Sequence, residues 1–100
     1  VPQKHLTLGD LHIDTEAYMV TQGGQEIRLT YSEFKLLVAL AQNQGRVLSR
    51  ERLIKLVQGE GVTVIDRAID THVFGLRKKL GSAAELIETI RGVGYRVRSV

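Results

Sequence analysis

The stretch Asp66-Arg67-Ala68-Ile69-Asp70-Thr71-His72-Val73-Phe74-Gly75-Leu76-Arg77-Lys78-Lys79-Leu80 decides the fold. At about 100° per residue, Ile69, Val73, Leu76 and Leu80 fall within about 60° of one another, the stripe of a helix packed on a core. Asp66 suits the N-cap, and Gly81 suits the left-handed residue that closes a helix spanning 67–80. Opposite the stripe stand Arg67, Thr71, Phe74, Gly75 and Lys78. Asp70 and Arg77 flank one side, His72 and Lys79 the other. The face turned from the core is basic, with one short polar residue and no acid. A helix is narrow enough to enter the major groove, where Lys and Arg reach guanine acceptors and small or apolar groups meet thymine methyls.

Two features of that face are unusual. Phe74 is an aromatic set opposite a buried stripe, which points to cover by a neighbouring loop, to contact with a thymine methyl, or to a partner protein. Gly75 in mid-helix costs about 1 kcal/mol relative to Ala. Close approach of a DNA backbone or another chain would account for it.

Downstream of this helix the period changes from helical to alternating. Leu86 to Ile90, the turn Arg91-Gly92-Val93-Gly94, and Tyr95 to Val97 read as a hairpin. Thr89 and Arg91 before the turn, and Arg96 and Arg98 after it, suit phosphate or minor-groove contacts. Tyr95 reads as a strand-packing residue. Gly92-x-Gly94 lacks the third glycine and the strand-to-helix setting of a nucleotide fingerprint.

Upstream lie two shorter helices. Thr30-Tyr31-Ser32-Glu33 has the form of a capping box, with Leu29 and Phe34 as its staple. Phe34, Leu37, Val38 and Ala41 form the stripe, and Asn43-Gln44-Gly45 ends the helix. Arg46-Val47-Leu48 reads as a connector. Ser49 caps a second helix whose buried face is Leu53, Leu56 and Val57, with Leu48 and Leu53 as staple. Gln58-Gly59-Glu60-Gly61 breaks it and opens a loop to about Ile65. Two such short helices, joined by a loop and followed by the third, suggest a helix-turn-helix with a lengthened turn, and the hairpin directly after it is a wing. Before them, Leu6/Leu8, Leu11/Ile13, Tyr18/Val20 and Ile27/Leu29 alternate with polar residues, with turns at Gly9-Asp10, Thr15-Glu16 and Gly23-Gly24. They read as a small antiparallel meander.

Composition agrees with a binding domain. One hundred residues, 43% hydrophobic, suffice for one domain with a modest core. The absence of cysteine excludes disulfides, thiolate zinc sites and thiol catalysis. No apolar run approaches the roughly 20 residues needed to span a bilayer, and the first residues resemble no targeting segment. Residues 1–66 carry seven Lys/Arg against eight carboxylates, whereas residues 67–100 carry seven against three. The positive excess sits in the last third, as expected of a polyanion-binding face. His5, His12 and His72 are scattered and set no catalytic or metal spacing, so no enzyme, cofactor, metal or small-molecule substrate is expected.

Five motifs in order resemble one family: Leu-Thr-Tyr-Ser-Glu-Phe-Lys-Leu-Leu (29–37), Gly-Arg-Val-Leu-Ser-Arg-Glu-Arg-Leu (45–53), Asp-Arg-Ala-Ile-Asp-Thr-His-Val (66–73), Leu-Arg-Lys-Lys-Leu (76–80) and Ile-Arg-Gly-Val-Gly-Tyr-Arg (90–96). They are similar to the output domain of OmpR/PhoB-type response regulators. The resemblance covers nearly all of the chain. It implies an α+β winged helix-turn-helix occupying residues 1–100: a four-stranded N-terminal antiparallel sheet, three helices and a C-terminal hairpin wing. Residues 1–5 would be a linker remnant, and a receiver domain would lie outside this chain. Phosphate contacts are implied at Arg50, Arg67, His72 and Thr89, with Arg91 at the wing and Tyr95 beside it. Groove contacts are implied at Thr71, Phe74, Gly75 and Lys78, supported by Arg77. The implied partners are double-stranded DNA in tandem repeats, a second copy of the chain on DNA, and RNA polymerase through the loop Gln58–Ile65. The implied location is the cytoplasm. Phe74 and Gly75 replace polar or basic residues usual in the family, and Gln58 replaces a common Trp, so base preference does not carry over. The alternative is a winged helix adapted for protein–protein contact through Phe74 and Gly75.

Overall fold

The computed structural model describes residues 5–58 and 66–98, apart from the side chains of residues 58 and 66–68. The expected polymerase-contacting loop, the side chain of Arg67, the cap at Asp66 and residues 1–4 of the expected linker lie outside what is described. His5, assigned above to that linker, instead begins the first strand.

Four short strands open the fold: β1 (His5–Leu8), β2 (Leu11–Asp14), β3 (Met19–Gln22) and β4 (Gln25–Ile27). They form the expected antiparallel meander in the order β1-β2-β3-β4. Leu8 pairs with Leu11 and Gln22 with Gln25, leaving two-residue turns at Gly9-Asp10 and Gly23-Gly24. Both Gly23 and Gly24 have positive φ, 58° and 84°, as such a tight turn requires. The longer β2–β3 turn is built around Asp14, whose Oδ1 accepts the N–H groups of Glu16 and Ala17 at 3.0 Å each. Tyr18, expected in a strand, lies in that turn with φ 54° and stacks on Phe34 and Tyr31. Leu29, also expected in a strand, lies beyond β4 and packs against the core from the approach to the first helix.

Helix α1 (Tyr31–Gln42) begins at the expected capping box: the Glu33 N–H donates to Thr30 Oγ1 and the Thr30 N–H to Glu33 Oε1. Its buried side is wider than the stripe read from sequence, adding Leu36, Ala39 and Leu40. It packs on the sheet and on both other helices, so few of its positions face water. After it, Gly45 donates its N–H to Val97 O at 2.9 Å, joining the helix end to the wing.

Residues read as a connector contain a strand, β5 (Leu48–Ser49), which is central to how the wing is attached. It pairs with β7 (Gly94–Val97), which in turn pairs with β6 (Ile87–Ile90), giving a second sheet ordered β5-β7-β6. Helix α2 (Arg50–Gln58) follows with the expected cap, the Arg52 N–H donating to Ser49 Oγ at 3.1 Å. Its inner face is Leu53, Ile54 and Val57. Leu56, assigned inward from sequence, is exposed and Ile54 is buried in its stead, the inner face being turned by about 60° from the one read from sequence. Helix α3 (Asp66–Leu80) buries Ile69, Val73, Leu76 and Leu80 as expected. A 3-10 segment (Gly81–Leu86), not anticipated from sequence, carries the chain to β6. No helix among the described residues is long and apolar enough to cross a membrane.

Gly94 is the tightest point of the second sheet. A Cβ there would lie 2.0 Å from Leu48 O and 2.8 Å from Ser49 Cα. Backbone cannot yield as a side chain can, so Gly94→Ala should separate β5 from β7 and lower the unfolding free energy in urea by about 1–3 kcal/mol.

Candidate nucleic-acid interface

On α3, burial of the apolar stripe turns Thr71, Phe74 and Lys78 outward. Spaced i, i+3 and i+7, they share one face. Phe74 is 64% exposed, and Lys78 Nζ lies 5.2 Å from the centroid of its ring. His72 is half-buried at the margin of this face, while Thr89 and Arg91 stand exposed on the wing.

Gly75, assigned to the same face, is half-buried and looks instead toward α1. A Cβ there would lie 2.4 Å from Glu33 Oε2. The close approach inferred from the glycine is therefore real, but the approaching group is a carboxylate of the same chain. Glu33 is 6% exposed, and its Oε1 accepts both the Thr30 N–H and, at 2.6 Å, the Lys79 ammonium. Burial pushes the Glu33 carboxyl up, yet the bonds from Lys79 and Thr30 outweigh it and hold it below the ordinary glutamate value. One glutamate thus caps α1, fixes the separation of α1 and α3, and binds a cation from α3.

A second network joins α2, α3 and the wing at Asp70. Its Oδ1 accepts from Arg50 Nε at 2.9 Å and from the Tyr95 hydroxyl. Tyr95, expected beside the wing contact, is 5% exposed, so its place is beneath the surface rather than on it. Two guanidinium groups approach its ring, Arg50 at 5.6 Å and Arg77 at 5.8 Å from the centroid. Arg77 Nη2 also donates to Ile87 O and Thr89 Oγ1, both at 2.8 Å, which fits the supporting role expected of it. The Tyr95 hydroxyl, opposed by some burial and aided by Arg50, holds the Asp70 carboxyl below its ordinary value. Burial, followed by the neighbouring Asp70, raises that of the tyrosine.

Arg96 and Arg98, read as wing cations, both bind Glu88, at 2.9 Å and 3.2 Å. Arg96 above all holds that carboxyl below its usual range. Sequence reasoning missed the partners Glu33, Asp70 and Glu88. The i, i+8 and i, i+10 spacing across a hairpin could have suggested Glu88, whereas the Glu33–Lys79 contact spans helices distant in sequence.

The family model described as "Transcriptional regulatory protein, C terminal" matches residues 24–97. The chain belongs to that family. It is a winged-helix domain of the OmpR/PhoB response-regulator type. Over 96 residues it is 40% identical to the phosphate regulon transcriptional regulatory protein PhoB of Rhizobium meliloti, covering 94% of this chain but 42% of that relative. The chain thus spans less than half of that regulator. Among solved structures it resembles the DNA-binding domain of CpxR from E. coli, with TM-score 0.84, 37% identity and coverage of 97% of this chain and 98% of that one. It also resembles the RstA DNA-binding domain from Klebsiella pneumoniae in complex with the RstA box, with TM-score 0.82, 35% identity and coverage of 96% and 98%.

Two expectations follow from the two carboxylates on α3's flanks. Gly75→Ala should lower stability to urea in the native background, where Glu33 occupies the space. With Glu33→Ala already present, the same change should stabilise by about 1 kcal/mol, the ordinary helix preference for alanine. For Asp70, the folded carboxyl titrates below its unfolded value near 3.8. Its stabilisation is therefore complete above the unfolded value and lost as pH falls through the folded one. The stability gap between wild type and Asp70→Asn, read from melts at stepped pH, should be widest near neutrality and shrink below about pH 4.

Proposed function

We propose that this domain binds double-stranded DNA sequence-specifically, as the output domain of a two-component response regulator that controls transcription in the cytoplasm. The observation that carries the reading is the outward row Thr71–Phe74–Lys78 on a helix whose opposite face is locked in the core, with the wing alongside. In this reading α3 enters the major groove. Thr71, Phe74 and Lys78 face base edges there, whereas Gly75 is turned toward Glu33 of α1. Arg91 and Thr89 on the wing, His72 at the edge of α3, Arg50 and Arg67 serve the phosphate backbone. Arg77 and Tyr95 act as positioning residues, holding wing and helix in register through Thr89 and Asp70. The related RstA domain in complex with its box supports the same mode here.

The relatives' greater length supports a receiver domain in the complete regulator. The family resemblance supports tandem binding sites, a homodimer on DNA and contact with RNA polymerase through residues 58–65. It supports a binding role rather than an enzymatic one. A second reading, docking of another protein on Phe74, draws on that ring's exposure, but the ammonium held over it favours an anionic partner.

Gel-shift titrations at several salt concentrations test the proposal. Arg91→Ala should weaken binding to all duplexes and reduce the salt slope by about 1. Arg96→Ala should change the slope far less, because Glu88 already engages that guanidinium. Salt-insensitive binding, or none to any duplex, would contradict the reading.

A further inference from the structure

We propose that Phe74 and Lys78 act as one reading unit, the ring meeting the 5-methyl group of a thymine while the ammonium above it bonds a guanine in the adjoining base pair. The proposal rests on the DNA-binding function proposed above and assigns its base preference. Three observations carry it.

Phe74 is the most exposed of the large apolar side chains among the described residues and stands on the helix face turned farthest from the core. A ring left in water there forgoes the gain that burial gives elsewhere in the chain, and a thymine methyl is the apolar group that the major groove offers. The ring also stands in the middle of its row. The seven helical steps from Thr71 to Lys78 span about 10 Å, or about three base pairs, so Phe74 faces the interior of the contacted sequence rather than its edge.

The second observation is the position of Lys78. Its ammonium lies over the Phe74 ring, 5.2 Å from the centroid, which draws a long flexible side chain to one place. A lysine so held reaches only acceptors close to the ring. Guanine O6 and N7 accept from such a donor, and an adjoining pair puts them within the same reach as the methyl.

The third is Lys79, whose ammonium is bound to the buried Glu33 on the other side of α3. Of the two consecutive lysines, the structure therefore directs one inward to hold the helix and the other outward over the ring. The charge on the exposed row is thereby concentrated beside Phe74.

The experiment selects binding sites from randomised duplexes with the wild-type domain, then replaces each thymine singly by deoxyuridine, which removes the methyl and nothing else. Wild type should bind about fourfold more weakly at one thymine of the site, the effect of losing one buried methyl. Phe74→Ala should bind thymine and deoxyuridine duplexes equally at that position, while Phe74→Leu should retain part of the difference. Lys78→Ala should relax the preference at the neighbouring guanine by about tenfold. Specific binding in which no thymine responds to deoxyuridine overturns the proposal while leaving DNA binding intact. So does a response that persists in Phe74→Ala. Failure to bind any duplex removes the underlying function together with it.

Discussion

Burial of Ile69, Val73, Leu76 and Leu80 sets the rotation of α3 about its own axis, and the rest of the site follows from that rotation. Each of these side chains is essentially sealed from water, and together they lock the helix against α1 and α2. Turning α3 by one residue would expose part of this stripe and bring Phe74 in one direction, or Lys79 in the other, toward the core in its place. The outward row is thus the geometric complement of the core rather than an independent feature. No polar contact is needed to aim it.

What the polar contacts decide is which cations that surface offers. The basic excess of the last third of the chain suggests a broad positive face, but the structure divides it. Glu33 takes Lys79, and Glu88 takes Arg96 and Arg98. Arg77 is spent on the β6 backbone and Thr89, while from α2 Arg50 is held by Asp70. Lys78 and Arg91 stay exposed among the described side chains. Three carboxylates therefore act as selectors. Ion pairs this close to the surface contribute little to stability. Their effect lies in orientation, since a guanidinium held on Tyr95 or a carboxylate presents its remaining donors in a fixed direction.

The elements with strong local signals were legible in sequence. The capping box at Thr30 and Glu33, the paired glycines at 23 and 24, the Ser49 cap and the four-residue stripe of α3 all appear as read. Each depends on neighbours within a few positions, where backbone chemistry is dictated by residue type. Misreadings arose where a distant segment intervened. Leu48–Ser49 is too short to show alternation and becomes a strand because Gly94 allows β7 to approach it. Tyr18 leaves its strand to stack on Tyr31 and Phe34 of α1. Gly75 signalled a close approach correctly, but a glycine records only that something is near, and no local pattern names Glu33 as the neighbour. At the site, the outward row was legible from the helical period alone. Tyr95 packs as its strand position suggested, but its bond to Asp70 and the pairing of Arg96 and Arg98 were not legible, because they are set by tertiary partners.

The same division explains why family membership is plain here while base preference is not. The motifs that mark the family include residues that build the frame: Glu33 at the helix junction, Asp70 and Tyr95 at the wing junction, and the leucines and valines of the core. Altering them disturbs the packing of the core or the junctions between helices and wing, which costs more than a surface change. Thr71, Phe74 and Lys78 project outward, so substitution there leaves the frame standing and acts on the ligand instead. Phe74 stands exposed without entering a helix cap or a core contact. A winged helix can therefore change what it reads by changing side chains that contribute almost nothing to how it folds, provided the stripe beneath keeps pointing them the same way.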